Sequence, residues 1–152
     1  MKYKVDIEVN LPRDQVFELF ASREDRFKWQ EGLKIYELVE GEPGQVGAKS
    51  RVVIDVGFRR IDMFETITSR DAPSEFVAEY TTMGVKIVVR HTFLSLDGDK
   101  TKWESHNEFH FSGLFLFAAV VMEGQLKHQS RRFMQDFKAF AEQDRDVRNR
   151  AT

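Results

Sequence analysis

One histidine within an apolar stretch is the residue of this sequence best suited to proton chemistry. His91 lies in the alternating run Val85–Leu96. A histidine inside a cavity could act as a general acid or base, and a carboxylate such as Glu65 would tune its pKa. The same imidazole could instead anchor a ligand, or satisfy only Ser105 on the neighbouring strand. Glu65 would lie two strands away, roughly 9–10 Å at normal strand spacing, which argues against direct contact.

Side-chain alternation predicts which other residues share a face with His91. An apolar wall with a few fixed polar groups is how small-molecule sites are usually built, and each buried polar group needs a partner. For Glu65 we expect the partner to be water at the rim of the sheet. The candidate ligand-binding residues are Glu65, Tyr80, His91, Trp103, Ser105, Asn107, Met122, Leu126, Gln129, Ser130 and Phe133.

Metal and nucleotide chemistry have little support in the sequence. His106 and His110 share a strand face, but no third ligand follows at metal-binding spacing. Gly41, Gly44 and Gly47 do not form a phosphate-binding loop. The absence of cysteine excludes a disulfide framework, a cysteine zinc site and a thiol nucleophile. We therefore expect no metal and no cofactor, and we assign no catalytic residue.

Length and charge favour one globular domain without a nucleic-acid partner. The chain has 152 residues and a formal net charge of -2, so it lacks the strongly basic face of a nucleic-acid-binding protein. The first residues lack the apolar core of a signal peptide, and we expect a cytoplasmic protein. The longest apolar run, 114–122, is too short to span a bilayer. We expect a domain over 1–143 and a charged tail over 144–152 that frays.

The elements that must position these residues follow from periodicity and turn signals. Period-two alternation and Gly, Pro and Asp turns predict seven strands, and short turns between consecutive strands imply an antiparallel meander. Two short helices are expected after the first strand, near 16–20 and 22–28. The predicted strands are 3–9, 33–39, 50–56, 59–68, 76–82, 85–96 and 101–111.

One long helix, from Ser112 to about Gln143, closes the chain. Its apolar stripe is interrupted by Gln129 and Ser130, which places two polar groups against the sheet. The segment 114–122 is apolar all round, and such surfaces tend to mark contacts. We expect it to be covered by a short helix, by a second subunit in a homodimer, or by a lipid-like ligand. The stripe comprises Phe115, Ala119, Met122, Leu126, Phe133, Phe137 and Phe140.

The order and spacing of these features resemble a known superfamily. The matching positions are Pro12 with Val16, Phe17 and Phe20, then Trp29, the run 44–47, the turn 71–73, Phe93, the turn 97–99 with Thr101, and the helix start at 112–114. The chain resembles the START-like, birch-pollen-allergen-like (SRPBCC) superfamily in its polyketide cyclase/dehydrase branch. The resemblance implies an α+β helix-grip fold: a curved seven-stranded antiparallel sheet wrapped around the C-terminal helix, with a ligand cavity between them.

Three functions are compatible with this pattern, because the superfamily hosts many activities. We favour binding of a small hydrophobic ligand, lipid-, polyketide- or aromatic-like, since it needs only apolar walls and a few polar anchors. A polyketide cyclase or dehydratase would need a cavity base and an oxyanion stabiliser. A protein-interaction module would use the apolar start of the long helix.

Overall fold

The computed structural model describes residues 1–57, 59–113 and 116–150, with 116–121 described through their backbone alone. Within this part of the chain, strands and helices occur in the predicted order. They are β1 (Lys2–Val9), α1 (Arg13–Ala21), α2 (Arg26–Trp29), β2 (Leu33–Glu40), β3 (Lys49–Asp55), β4 (Arg60–Asp71), β5 (Glu75–Thr82), β6 (Val85–Leu96), β7 (Lys100–Phe111), α3 (Leu116–Gln143) and a 3-10 turn (Val147–Asn149).

All seven strands form one antiparallel sheet in the order β1-β7-β6-β5-β4-β3-β2. Strands β2 to β7 follow one another as a meander, because short turns place each strand beside the next. The first strand instead pairs with the last, and the amino group of Met1 donates to the carbonyl of Phe109 at 3.1 Å. The sheet stays open, with β1 and β2 at its edges. The predicted helix-grip fold is confirmed.

The positions of the turns also predict the hairpin registers, and the structure agrees with them. Thr82 pairs with Val85 across the two-residue turn, and Ser50 lies opposite Glu65. His91 lies opposite Ser105. A shift of one residue would have moved every side chain to the other face of the sheet. The correct registers therefore place the predicted inward residues on the face that α3 covers.

An aromatic core fills one end of the space between the sheet, α1 and α3. Phe17, Phe93 and Phe137 are completely buried, and Trp103 nearly so. Phe17 meets Phe93 edge-on with ring centroids 5.5 Å apart, and Trp103 meets Phe137 at 5.1 Å. Edge-to-face pairs of this kind add to the free energy gained from burial. This packed end fixes where α3 lies over the sheet.

Helix α3 follows the predicted stripe over its second half. Phe137 and Phe140 are buried, Leu126 and Phe133 are partly buried, and Met134, which the predicted stripe did not include, is buried as well. Two stripe positions, 115 and 119, lie outside the described side chains. So does most of the apolar segment 114–122, which the sequence predicts to be covered. Among the described residues, none of the helices combines the length and the apolar character of a membrane-spanning segment.

The charged residues after α3 fold back instead of fraying. Arg150 donates to Glu31 at 3.1 Å and to Asp136 at 2.7 Å. Asp146 caps the 3-10 turn by accepting from the backbone N–H of Arg148 at 2.9 Å. These ion pairs join the segment to α3 and to the loop after α2.

Candidate ligand-binding site

A cavity of about 990 Å³ lies between the inner face of the sheet and α3. Residues from α1, α2, all seven strands and the middle of α3 contribute to its wall. This volume is at the upper end of the range that small-molecule pockets usually have. Much of the wall is aliphatic or aromatic, as in Ile61, Met63, Ile87, Val89, Phe109 and Leu126.

The structure brings ten of the eleven predicted site residues to this wall. They are Tyr80, His91, Trp103, Ser105, Asn107, Met122, Leu126, Gln129, Ser130 and Phe133. They come from β5, β6, β7 and α3, as the alternation predicted. The eleventh residue, Glu65, lies behind the wall, where the hydroxyl of Tyr80 donates to it.

Glu65 is buried among hydrogen-bond donors and does not reach water at the rim of the sheet. Its side chain is 1% exposed, and it accepts from Arg26 Nη1 at 2.8 Å, Tyr36 OH at 2.5 Å and Tyr80 OH at 2.6 Å. The expected rim position was wrong because α2 places a cation over this part of the sheet. A buried carboxylate is tolerated when it is paired and hydrogen-bonded. We call Arg26, Tyr36, Glu65 and Tyr80 the Glu65 cluster.

The electrostatics of the Glu65 cluster fix its protonation states. Burial alone would raise the pKa of Glu65, but the charge of Arg26 and the three donors together hold that pKa below its usual value. Burial and the adjacent carboxylate raise the pKa of Tyr36 to about 12, and they raise the pKa of Tyr80 further. The pKa of Arg26 lies well above its usual value. The cluster is therefore an ion pair with two neutral phenols, and its carboxylate is not a free base.

The short helix α2 and the turn before it supply the cationic side of this cluster. Arg26 also donates to Gln30 Oε1 at 2.7 Å and to Tyr80 OH at 3.0 Å. Arg23 donates through Nη2 to Ser50 Oγ at 3.1 Å. Both guanidinium groups lie over the ring of Tyr36, with centroid distances of 4.1 Å for Arg23 and 4.5 Å for Arg26.

His91 is a neutral ring in the cavity wall. Its Nδ1 accepts from Trp103 Nε1 at 3.1 Å, which places the proton of the neutral imidazole on Nε2. Burial, with a smaller contribution from the charge of Arg26, lowers its pKa to about 3. No described residue forms a hydrogen bond with Nε2 of His91. Although the ring is deep inside the protein, it contributes to the cavity surface, so Nε2–H can serve a ligand.

The predicted register around His91 is right, but one of its proposed hydrogen bonds is not. Ser105 lies opposite His91, yet its Oγ accepts from Asn107 Nδ2 at 3.1 Å, and His91 bonds to Trp103 instead. No hydrogen bond joins His91 to Glu65 among the described residues, in agreement with the expected two-strand separation. A carboxylate-tuned histidine is therefore not present in this geometry.

Gln129 and Ser130 interrupt the apolar stripe of α3, and Ser130 contacts a residue of β1. Tyr3 OH lies 2.8 Å from Ser130 Oγ and donates to the carbonyl of Leu126 at 3.3 Å. This contact joins the first strand to the middle of α3 across the cavity. In the described part of the chain, no three His, Asp or Glu side chains are grouped as metal ligands would be.

Comparison with known proteins agrees with this architecture. Residues 1–142 match the family described as "Polyketide cyclase / dehydrase and lipid transport". The chain belongs to this family. No curated protein matches the sequence significantly.

Solved structures show the same fold for proteins with very different sequences. The ZhuI aromatase/cyclase from a Streptomyces species superposes with a TM-score of 0.82 at 14% identity, covering 99% of each chain. The protein TTHA0849 from Thermus thermophilus gives 0.77 at 12% identity, covering 93% of this chain and 97% of that one. The allergen Ara h 8.0201 gives 0.74 at 14% identity, with the same two coverages. At these identities the likeness establishes the fold alone.

The functional residues that sequence reasoning missed are those contributed by α2 and β2. Arg23, Arg26, Gln30 and Tyr36 all contribute to the cavity wall. A signal for them exists in the sequence, because an inward Glu65 on an apolar strand face requires a cation. The charged second short helix offers arginines, but which of them reaches Glu65 depends on how α2 packs, which strand alternation does not specify.

Proposed function

We propose that this member of the polyketide cyclase/dehydrase and lipid transport family binds a small hydrophobic ligand in the cavity between the sheet and α3. The observation that carries the proposal is a cavity of about 990 Å³ with mainly apolar walls and a few fixed polar groups. Its size and chemistry suit a lipid-, polyketide- or aromatic-like molecule. The description of the family, which names both cyclase/dehydrase and lipid transport, supports the same range of ligands.

In this proposal the ten wall residues predicted from the sequence contact the ligand, and Glu65 acts behind them. His91 offers its Nε2–H as a donor, and Ser105 and Asn107 form a second polar group two strands from the Glu65 cluster. Glu65 fixes the hydroxyl of Tyr80. The apolar body of the ligand would lie along β6 and α3 between these groups.

Filling the cavity from β6 tests the proposal directly. Ile87 lies on the cavity wall, and its neighbour Val88 lies on the outer face of the same strand. With dansylaminoundecanoic acid as a fluorescent probe, Ile87→Trp should weaken binding because the indole takes up part of the site. Val88→Trp is the matched control and should bind as the wild type does. Equal binding by both variants would place the ligand elsewhere. Native mass spectrometry of the purified protein would then identify any ligand retained from the cell.

A cyclase or dehydratase is the alternative, and the neutral Nε2–H of His91 favours it in part. Such a donor could polarise a ketone of a polyketide-like substrate. Neither His91 nor Glu65 offers an effective base, since the pKa of His91 is about 3 and Glu65 is occupied by three donors. Binding therefore remains the better-supported function.

Turnover measurements separate the two functions. If His91 acts in a reaction, His91→Ala should abolish conversion of an aromatic polyketide mimic while the mimic still binds. If His91 is a ligand anchor, the same variant should weaken binding, and neither protein should convert the mimic.

A further inference from the structure

The cationic groups at the cavity are only partly neutralised. Glu65 is paired with Arg26. Asp62, at the rim of the cavity, accepts two hydrogen bonds from Arg51 on the outer face of the sheet, at 3.1 and 2.7 Å. Arg23 also contributes to the wall, but no described carboxylate lies within ion-pair distance of its guanidinium.

The hydrogen-bonding capacity of Arg23 is largely unused as well. Its Nη2 donates to Ser50, whereas its Nη1 is shielded from water and has no described acceptor. Leaving a buried donor unpaired is unfavourable, so a hydrogen bond from this donor to an acceptor on a ligand would favour binding. The ring of Tyr36 and the Ser50 hydroxyl hold the guanidinium in place. A planar, pre-oriented guanidinium suits a carboxylate, whose two oxygens match its parallel N–H groups.

Two further arginines border the same cavity. Arg59 and Arg60 lie at the turn between β3 and β4 and contribute to its wall. With Asp62 held by Arg51, the arginines give the described cavity wall a net positive charge. A cleft lined by one sign of charge raises the local concentration of oppositely charged ligands.

We propose that the ligand carries an acidic group, a carboxylate or an equivalent oxyanion, on its apolar body, and that Arg23 binds this group beside Ser50 and Tyr36. The inference rests on the proposed binding function and specifies the class of ligand. Glu65 does not oppose it, because Arg26 neutralises that carboxylate behind the wall. The body of the ligand extends from Arg23 along the apolar residues of β6.

The test compares a probe acid with its neutral ester. Dansylaminoundecanoic acid and its methyl ester have the same body and differ in the charge at one end. The measured quantity is the ratio of the two affinities, obtained by fluorescence titration at neutral pH. In Arg23→Gln, the affinity for the acid relative to that for the ester should fall about tenfold, as expected for the loss of a hydrogen-bonded charge.

Arg90→Gln is the matched control for the change in net charge. Arg90 lies on the outer face of β6, paired with Glu75 at 2.7 Å, and its replacement should leave the ratio unchanged. Arg23→Lys keeps the charge without the planar fork and should give an intermediate ratio, which also serves if Arg23→Gln fails to fold. An unchanged ratio in both Arg23 variants would overturn the inference while the binding function stands. Failure of the wild type to bind either probe would contradict the binding function, and the inference with it.

Discussion

Two carboxylate–arginine pairs on strand β4 show how position decides what an ion pair contributes. Glu65 and Arg26 are almost entirely inside the protein, with side chains 1% and 14% exposed. Asp62 and Arg51 lie on the outer face of the sheet, with side chains 53% and 40% exposed. Removing one member of a buried pair leaves an uncompensated charge, whereas an exposed partner is re-solvated by water.

We expect Glu65→Gln to lower the free energy of unfolding by about 3–5 kcal/mol, because Arg26 would remain buried without its counter-charge. Asp62→Asn is the control on the same strand and should have only a small effect. Urea denaturation of both variants measures the difference. A loss in Glu65→Gln no larger than that in Asp62→Asn would mean that water or Gln30 compensates Arg26.

His91 should make the protein sensitive to mild acid. Its pKa is about 3 in the folded protein and near 6.5 when unfolded, so the unfolded chain binds the additional proton. Its contribution to stability is therefore complete above about pH 6.5 and is lost progressively as the pH falls toward 3, by up to about 1.4 kcal/mol per pH unit. The lowered pKa of Glu65 adds a separate loss only below its usual value of 4.5.

Replacing His91 by glutamine keeps a possible acceptor for Trp103 and removes the titrating group. The free energy of unfolding of His91→Gln should consequently fall less between pH 7 and pH 5 than that of the wild type. Ser105→Ala, at the paired position, should shift stability by a similar amount at both pH values. Urea denaturation at the two pH values measures this difference. If the stability of His91→Gln falls between pH 7 and pH 5 as much as that of the wild type, His91 is solvated in the folded state.

At the scale of elements, the sheet could be predicted well and the packing of α2 could not. The registers around Ser50, Thr82 and His91 follow from local turns, because the length of a hairpin turn determines which residues face each other. Helix α2 has only four residues, too few to be stable by itself. Its position depends on contacts distant in sequence, such as Trp29 against Phe137 at 5.2 Å and Arg26 on Glu65. No local pattern encodes those contacts, which explains why the cationic half of the site was missed.

Helix α3 contains a glycine that neither packing nor backbone conformation requires. A Cβ at Gly124 would meet no described atom within 4 Å. We expect Gly124→Ala to raise the free energy of unfolding by about 0.5–1 kcal/mol, because alanine loses less conformational freedom in a helix. Thermal denaturation measures the change, and a destabilised variant would indicate that α3 bends at this position.

Gly32 provides the opposite case for comparison. Its φ is +88°, and a Cβ there would collide with the carbonyl oxygen of Asp55. Gly32→Ala should therefore destabilise the protein in the same assay, because both the backbone conformation and the contact exclude a side chain.

For the whole molecule, an occupied cavity and the stability of the fold should be linked. A ligand that binds only the folded state stabilises it by about 2.7 kcal/mol at a concentration one hundred times its Kd. Dansylaminoundecanoic acid should therefore raise the unfolding temperature of the wild type and of Val88→Trp, and it should raise that of Ile87→Trp less. Equal stabilisation of all three proteins would show that the probe binds outside the cavity.

The pairing of β1 with β7 also has a consequence for synthesis on the ribosome. Lys2 lies opposite Glu108 and Val9 opposite Thr101. The first strand of the sheet to be synthesised therefore cannot pair until the last strand has been synthesised. At about 5–20 residues per second, the intervening chain takes roughly 5–20 s to appear. During that interval the apolar side of β1, with Tyr3, Val5 and Val9, has neither its partner strand nor α3. Nascent chains of this protein should therefore expose an unpaired β1 that chaperones can recognise until β7 has been synthesised.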